Sequence, residues 1–157
     1  MEPRLDYRRF APEPIKALCA LEEYLDHCSI EPQLLHLLKM RASQINGCAF
    51  CIDMHSKDAR ALGETEQRLY ELNAWRETPF YTERERAALE WTEVLTLVSE
   101  THALDESYER LRAHFSDKEI VDLTYIISAI NVWNRIGIGL RSVPGHYQPA
   151  RKSSSAS

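Results

Sequence analysis

Apolar side chains recur every three or four positions through most of the chain, the period of amphipathic helices and not of strands. The pattern predicts an all-α fold. A first helix is expected from Glu13 to Cys28, with Ile15, Leu18, Leu21 and Leu25 on its inner face, Glu22 and Glu23 outside, and an end near Ser29. A second starts with Pro32 in its first turn, carries Leu34, Leu35, Leu38 and Met40, and runs to Ile45, where Asn46 and Gly47 tolerate a left-handed stop. A third opens within CAFCIDMHSKDARALG and closes at Gly63, and a shorter one spans Glu64 to Trp75 before Pro79. Thr82 with Glu85 three residues on is a capping box, opening a long helix through Ala88, Leu89, Trp91, Leu95 and Val98 toward Ser99. Asp105 is expected to cap a short helix reaching Phe115. Asp117 is expected to cap a last long one through Ile120, Leu123, Ile126, Ile127, Ile130, Trp133 and Ile136. The result is a bundle of six to seven helices. The last helix is apolar on more than one face, which predicts either deep burial or a homo-oligomer whose subunits cover each other.

Length and composition narrow the picture. At 157 residues the chain supports one core and one domain, expected over residues 1–148, and the polar tail at 149–157, ending KSSSAS, is expected to be disordered. No apolar run approaches a membrane span, and the first residues lack the apolar block of a signal peptide, so the expected compartment is the cytoplasm and no membrane partner is expected. Net charge is −5, with Lys and Arg spread among acidic neighbours, which argues against nucleic-acid binding. Four cysteines stand at 19, 28, 48 and 51; in a reducing compartment, close-spaced cysteines point to redox or metal chemistry instead of structural bridges.

Cys48-Ala-Phe-Cys51-Ile-Asp-Met-His55 is the sharpest local feature, because positions three and four apart share a helix face. Cysteines in the first turn meet unsatisfied backbone N–H groups and the positive end of the helix dipole, both of which favour thiolate. His55, one turn beyond Cys51, can take up the thiol proton or stabilise the anion. A second thiol nearby can displace an oxidised first sulfur and leave a disulfide. Cys19 and Cys28 have no such company and are assigned to packing.

These residues carry a resemblance. The stretch 36–63, HLLKMRASQINGCAFCIDMHSKDARALG, is similar to the AhpD-type alkylhydroperoxidases of the carboxymuconolactone decarboxylase superfamily. The similarity extends through RLYELNAWRETPFYTERERAALEWTE and NVWNRIGIGLR. It implies an all-α AhpD-like fold, a homo-oligomer (trimer or hexamer), a hydroperoxide substrate and a dithiol reductant such as a lipoyl protein. It also implies roles: Cys51 as the peroxide-attacking thiolate, Cys48 as the resolving thiol and His55 in a proton relay. Where such enzymes carry a relay glutamate, twelve residues before the first cysteine, this chain has His36. An imidazole can pass protons at neutral pH but supplies no permanent negative charge to His55. Lactone decarboxylation is not implied, since decarboxylases proper generally lack the paired cysteines. Glu85, Glu93, Asn131, Trp133, Asn134 and Arg135 have ready structural roles as caps, surface pairs or interface residues and are left outside the site.

The sequence thus predicts catalytic Cys51, Cys48, His55 and His36 in a thiol peroxidase that needs no bound cofactor. One alternative is a zinc-binding module using His36, Cys48, Cys51 and His55, since two thiolates and two imidazoles suit tetrahedral zinc. Another is an oxidant sensor with weak turnover built on the same dithiol.

Overall fold

The structure, a computed structural model, describes residues 1–149. Pro149 excepted, the tail expected to be disordered lies outside the described residues. Among these, all regular structure is helical: α1 (Tyr7–Phe10), α2 (Pro12–Leu25), α3 (Pro32–Asn46), α4 (Ala49–Ala61), α5 (Glu66–Tyr70), a 3-10 segment (Leu72–Glu77), α6 (Glu83–Thr96), α7 (Val98–Thr101), α8 (Asp105–Arg112) and α9 (Asp117–Gly139). The fold is that of a single-domain, AhpD-like helical bundle. Among the described residues no helix is long and apolar enough to cross a membrane.

α3 is the central element and packs against α4, α6 and α9, while α6 also meets α8 and α9, and α2 lies on α9. Leu37 and Leu38 of α3, Leu89 of α6, and Leu123, Ile126 and Ile127 of α9 form the fully buried centre. Removing such side chains from water is the main favourable term holding the bundle, at roughly 1.5–3 kcal/mol for each large aliphatic group. A smaller cluster of Ala42, Cys48, Cys51 and Ile130, with Phe50 and Trp133 against it, joins α3, α4 and α9.

Helix termini follow the sequence in most places and depart from it in instructive ones. α3 begins at Pro32 and stops at Gly47, whose φ of 73° is left-handed. The Cys48 N–H returns to the Ser43 carbonyl at 2.9 Å and the Gly47 N–H to that of Gln44 at 3.3 Å, a Schellman turn. The Thr82–Glu85 capping box is formed. Asp117, by contrast, is the first helical residue of α9 and not its cap; Ser116 caps it, in a second capping box with Glu119. A serine hydroxyl reaches the third backbone N–H while the glutamate answers the cap's own N–H, satisfying two donors where an aspartate cap satisfies one. Asp105 likewise stands inside α8, after Leu104, with no side-chain cap; its charge acts there through the helix dipole instead. The helix expected at Glu64 to Trp75 divides at Tyr70, and Ala74 departs from helical geometry at φ −116°. Leu72 and Trp75, three apart, both reach the core from the 3-10 turn, whose period of three puts them on one side. The first helix ends at Leu25 and not Cys28, and α1 was not foreseen.

Candidate active site

The left-handed turn at Gly47 leads α3 directly into α4, and Cys48 becomes the N-cap residue of α4. Both motif thiols are buried, Cys48 at 1% exposure and Cys51 at 2%. The Cys48 sulfur accepts from the Cys51 thiol and from the backbone N–H groups of Cys51 and Phe50; these bonds bring its pKa down to about 7 against the opposing effect of burial. Cys51, donating to Cys48 and buried beside its charge, is pushed up. The pair therefore gives up its first proton more readily than an ordinary thiol, and the N–H groups at the start of α4 favour the charge on Cys48 and the remaining proton on Cys51.

His55 lies one turn along α4 from Cys51, buried at 4% exposure. Its Nδ1 is 3.3 Å from Nδ1 of His36 on α3, so one ring donates and the other accepts. Burial lowers both imidazoles, His36 to about 4 and His55 well below its ordinary value, with the Lys39 charge acting in the same direction. Both rings are neutral at pH 7. His55 Nε2 is buried and has no hydrogen-bond partner among the described residues. Asp58, the next acidic residue on α4, brings a carboxylate to the same place, and one ligand atom each from His36, His55 and Asp58 lie within 4.8 Å of one another. Burial raises the Asp58 carboxyl, while the Tyr147 hydroxyl, donating at 2.7 Å, partly offsets that. The four-ligand zinc set that the sequence allows is not what converges here: the free thiols face each other, and among the described residues the metal-capable cluster is the histidine pair with Asp58.

A cavity of about 490 Å³ opens over these groups, with Cys51, His55, His36 and Asp58 in its wall together with Phe50, Met54, Trp133, Tyr7 and Tyr147. Cys51 faces it and Cys48 lies behind. Several neighbours that the sequence leaves outside the site belong to its surroundings. Asn134, fully buried on α9, bonds to both thiols; its amide donates to Ser43 Oγ at 3.0 Å and accepts from Asn46 at 2.8 Å. Gly137 is the point where α9 passes the sulfurs: a Cβ there would lie 3.2 Å from Cys48 Sγ. Glu22, expected to face solvent, pairs with the buried Lys39 and accepts from the Trp133 indole at 2.9 Å, closing the far wall. Cys28 is half-buried against the core, as expected, whereas Cys19 is exposed and borders the cavity. Glu85 and Glu93 do serve in structure, the first in a cap and an ion pair with Arg68, the second holding Arg41 and the Trp75 indole. The signal for Asn134 and Gly137 was their place in α9 one turn apart, near the level of the thiols, which only the packing of α9 on α4 reveals.

The family model for carboxymuconolactone decarboxylases matches residues 12–94, the stretch from α2 through most of α6. Over 140 residues the chain is 49% identical to YdfG, an uncharacterised protein of Bacillus subtilis, covering 89% of this chain and 95% of that one. A crystal structure from Agrobacterium tumefaciens, of a protein of unknown function linked by name to AhpD antioxidant defence, superposes with a TM-score of 0.87 at 48% identity, over 96% of this chain and 100% of the other. An uncharacterised peroxidase-related protein from Silicibacter sp. TM1040 gives a TM-score of 0.77 at 25% identity, over 87% of this chain and 73% of that one. The chain belongs to the carboxymuconolactone decarboxylase family, as an AhpD-like member of it.

Proposed function

We propose that this protein is a thiol peroxidase acting on organic hydroperoxides. The observation that carries the reading is the dithiol itself: Cys51 faces an apolar cavity and is backed by a Cys48 thiolate held by backbone N–H groups. The Cys51 sulfur attacks the terminal oxygen of the hydroperoxide. The O–O bond breaks, the sulfur becomes a sulfenic acid, and the thiol proton passes by way of the His55–His36 pair to the departing alkoxide, which leaves as an alcohol. The Cys48 thiolate then attacks the sulfenic sulfur; a disulfide forms and hydroxide leaves, taking up a proton as water. Two electrons have moved from the thiols to the peroxide, and an external dithiol, for which a lipoyl group is the proposed carrier, restores the pair by exchange. His55 Nε2, without a partner among the described residues, is the free nitrogen of the relay. The aromatic and thioether wall favours an apolar organic group over hydrogen peroxide, and the cavity volume is in the range of small-molecule sites. The working form is proposed to be a homo-oligomer.

Steady-state reduction of cumene hydroperoxide and hydrogen peroxide with a dithiol reductant tests this. Turnover is expected with the wild type, greater with the organic peroxide, abolished in Cys51→Ser, and reduced in Cys48→Ser to a single oxidation without disulfide. His36→Glu is expected to raise the rate by placing a permanent charge beside His55. Absence of turnover with either peroxide would sink the reading.

A further inference from the structure

The two Nδ1 atoms of His36 and His55 face each other at 3.3 Å in a partly enclosed cavity, and neither ring carries a charge at neutral pH. Two imidazole nitrogens placed in this way are bridged by a shared proton or by a metal ion. For zinc, bonds of about 2.05 Å at a tetrahedral angle of about 109° set two nitrogen ligands about 3.3 Å apart, which is the separation found. A third donor is at hand. One ligand atom each from His36, His55 and Asp58 lie within 4.8 Å of one another, so the carboxylate has to draw nearer by side-chain rotation for all three to meet one ion. That carboxylate is already steered by the Tyr147 hydroxyl at 2.7 Å, the kind of outer hydrogen bond that orients carboxylate ligands.

We propose that His36, His55 and Asp58 form a binding site for a divalent transition-metal ion, zinc or a neighbour of similar ligand preference. Two imidazoles and one carboxylate are a ligand set suited to zinc, iron, cobalt and nickel and poorly suited to magnesium or calcium. The fourth position opens on the cavity and is left to water or a small anion. The thiols stay outside: Cys48 and Cys51 satisfy one another, with Asn134 and backbone N–H groups completing their bonds. Lys39, whose charge is felt at both imidazoles, is itself ion-paired with Glu22.

Bound there, the ion replaces the proton shared by the two rings and removes the relay that the peroxidase reading assigns to them. This consequence, though not the binding itself, rests on that reading: metal is expected to inhibit turnover and a chelator to restore it.

The test is titration of reduced, metal-free protein with Zn2+ and Co2+ in the absence of peroxide, so that its result does not depend on whether the protein is a peroxidase. One equivalent is expected to bind to the wild type and to the Cys48→Ser/Cys51→Ser double variant alike. His36→Gln and Asp58→Asn are each expected to weaken binding by at least about tenfold, with circular dichroism checking that both fold. The cobalt spectrum is expected to lack a thiolate-to-metal charge-transfer band. No saturable binding by the wild type overturns the proposal. So does a thiolate band or loss of binding in the cysteine double variant, which would place the ion on the dithiol, and so does binding indifferent to either His36→Gln or Asp58→Asn.

Discussion

Cys48 occupies the position where α4 offers its free N–H groups, and Cys51 reaches it from one turn along. The anion rests on the inner sulfur and the proton on the one facing the cavity, the reverse of a simple assignment of nucleophilicity by family role. The two fit if Cys48 holds the charge until Cys51 is oxidised and then uses it as the resolving nucleophile. Above a pH of about 7 the monoanion predominates and below it both thiols are neutral, so disulfide formation is expected to slow as pH falls through that value. Thiolate ultraviolet absorbance in a Cys19→Ser/Cys28→Ser background is expected to show one step per chain near pH 7, lost with Cys48→Ser and moved upward with Cys51→Ala, which removes the thiol donor. A step that survives Cys48→Ser and vanishes with Cys51→Ala would put the anion on Cys51. Gly137 gives a second handle. A methyl group at 3.2 Å from Cys48 Sγ is closer than ordinary van der Waals contact. Gly137→Ala is therefore expected to displace that sulfur and slow resolution of the Cys51 sulfenic acid about tenfold, a loss of about 1.4 kcal/mol in transition-state stabilisation. Stopped-flow oxidation reads it, and an unchanged rate would mean the sulfur moves freely.

At the level of elements, the site depends on how α3 stops and α4 starts. Gly47 supplies the left-handed residue and Cys48 the cap, so the same turn that ends one helix aims the next one's N–H groups at the thiol. This was legible because helix stop signals are local. The start of α9 was read one residue off, since Ser116-Asp117-Lys118-Glu119 offers two adjacent capping residues and only one carries the glutamate at the third position beyond it. Ser116→Ala is expected to cost about 1 kcal/mol of stability and Asp117→Ala only a few tenths, measured by urea unfolding; equal costs would remove the capping distinction. Asn131 and Asn134 are among the residues that sequence leaves outside the site as caps, surface pairs or interface residues. They are instead joined to Asn46, Thr96 and Ser43, tying α9 to α3 and α6 inside the bundle, where amides with all partners in place specify one packing.

For the molecule as a whole, the last helix is only partly covered. Val121, Tyr125 and Val132 are 50%, 52% and 39% exposed, and their spacing places them along one stripe of α9. Beside Val132 runs a shallow groove between α9 and the α6–α7 segment, where Leu95, Val98 and Val132 stand with Thr124, Ser128 and Arg135. These exposed apolar side chains are the surface on which the proposed oligomer would close. Light scattering is expected to give a mass above that of one chain, reduced by Tyr125→Glu together with Val132→Glu; a monomeric wild type would remove the oligomer from the account.

The all-α class, the helix from Pro32 to the Gly47 stop, the Thr82 capping box and the Cys48–Cys51–His55 array were determined by sequence alone, because each is a matter of spacing within one helix or one turn. His36 could be named from sequence only through the family resemblance; that its ring meets His55 was decided by α3 packing on α4. Asn134 and Gly137 behind the thiols, Glu22 against Lys39 and Trp133, and Tyr147 over Asp58 join residues from 17 to 111 positions apart. Only tertiary structure brings these together, since no local period records which faces of two distant helices will meet. So too with the charge within the dithiol: spacing puts two sulfurs side by side, but burial and the direction of the N–H groups decide which of them holds the proton.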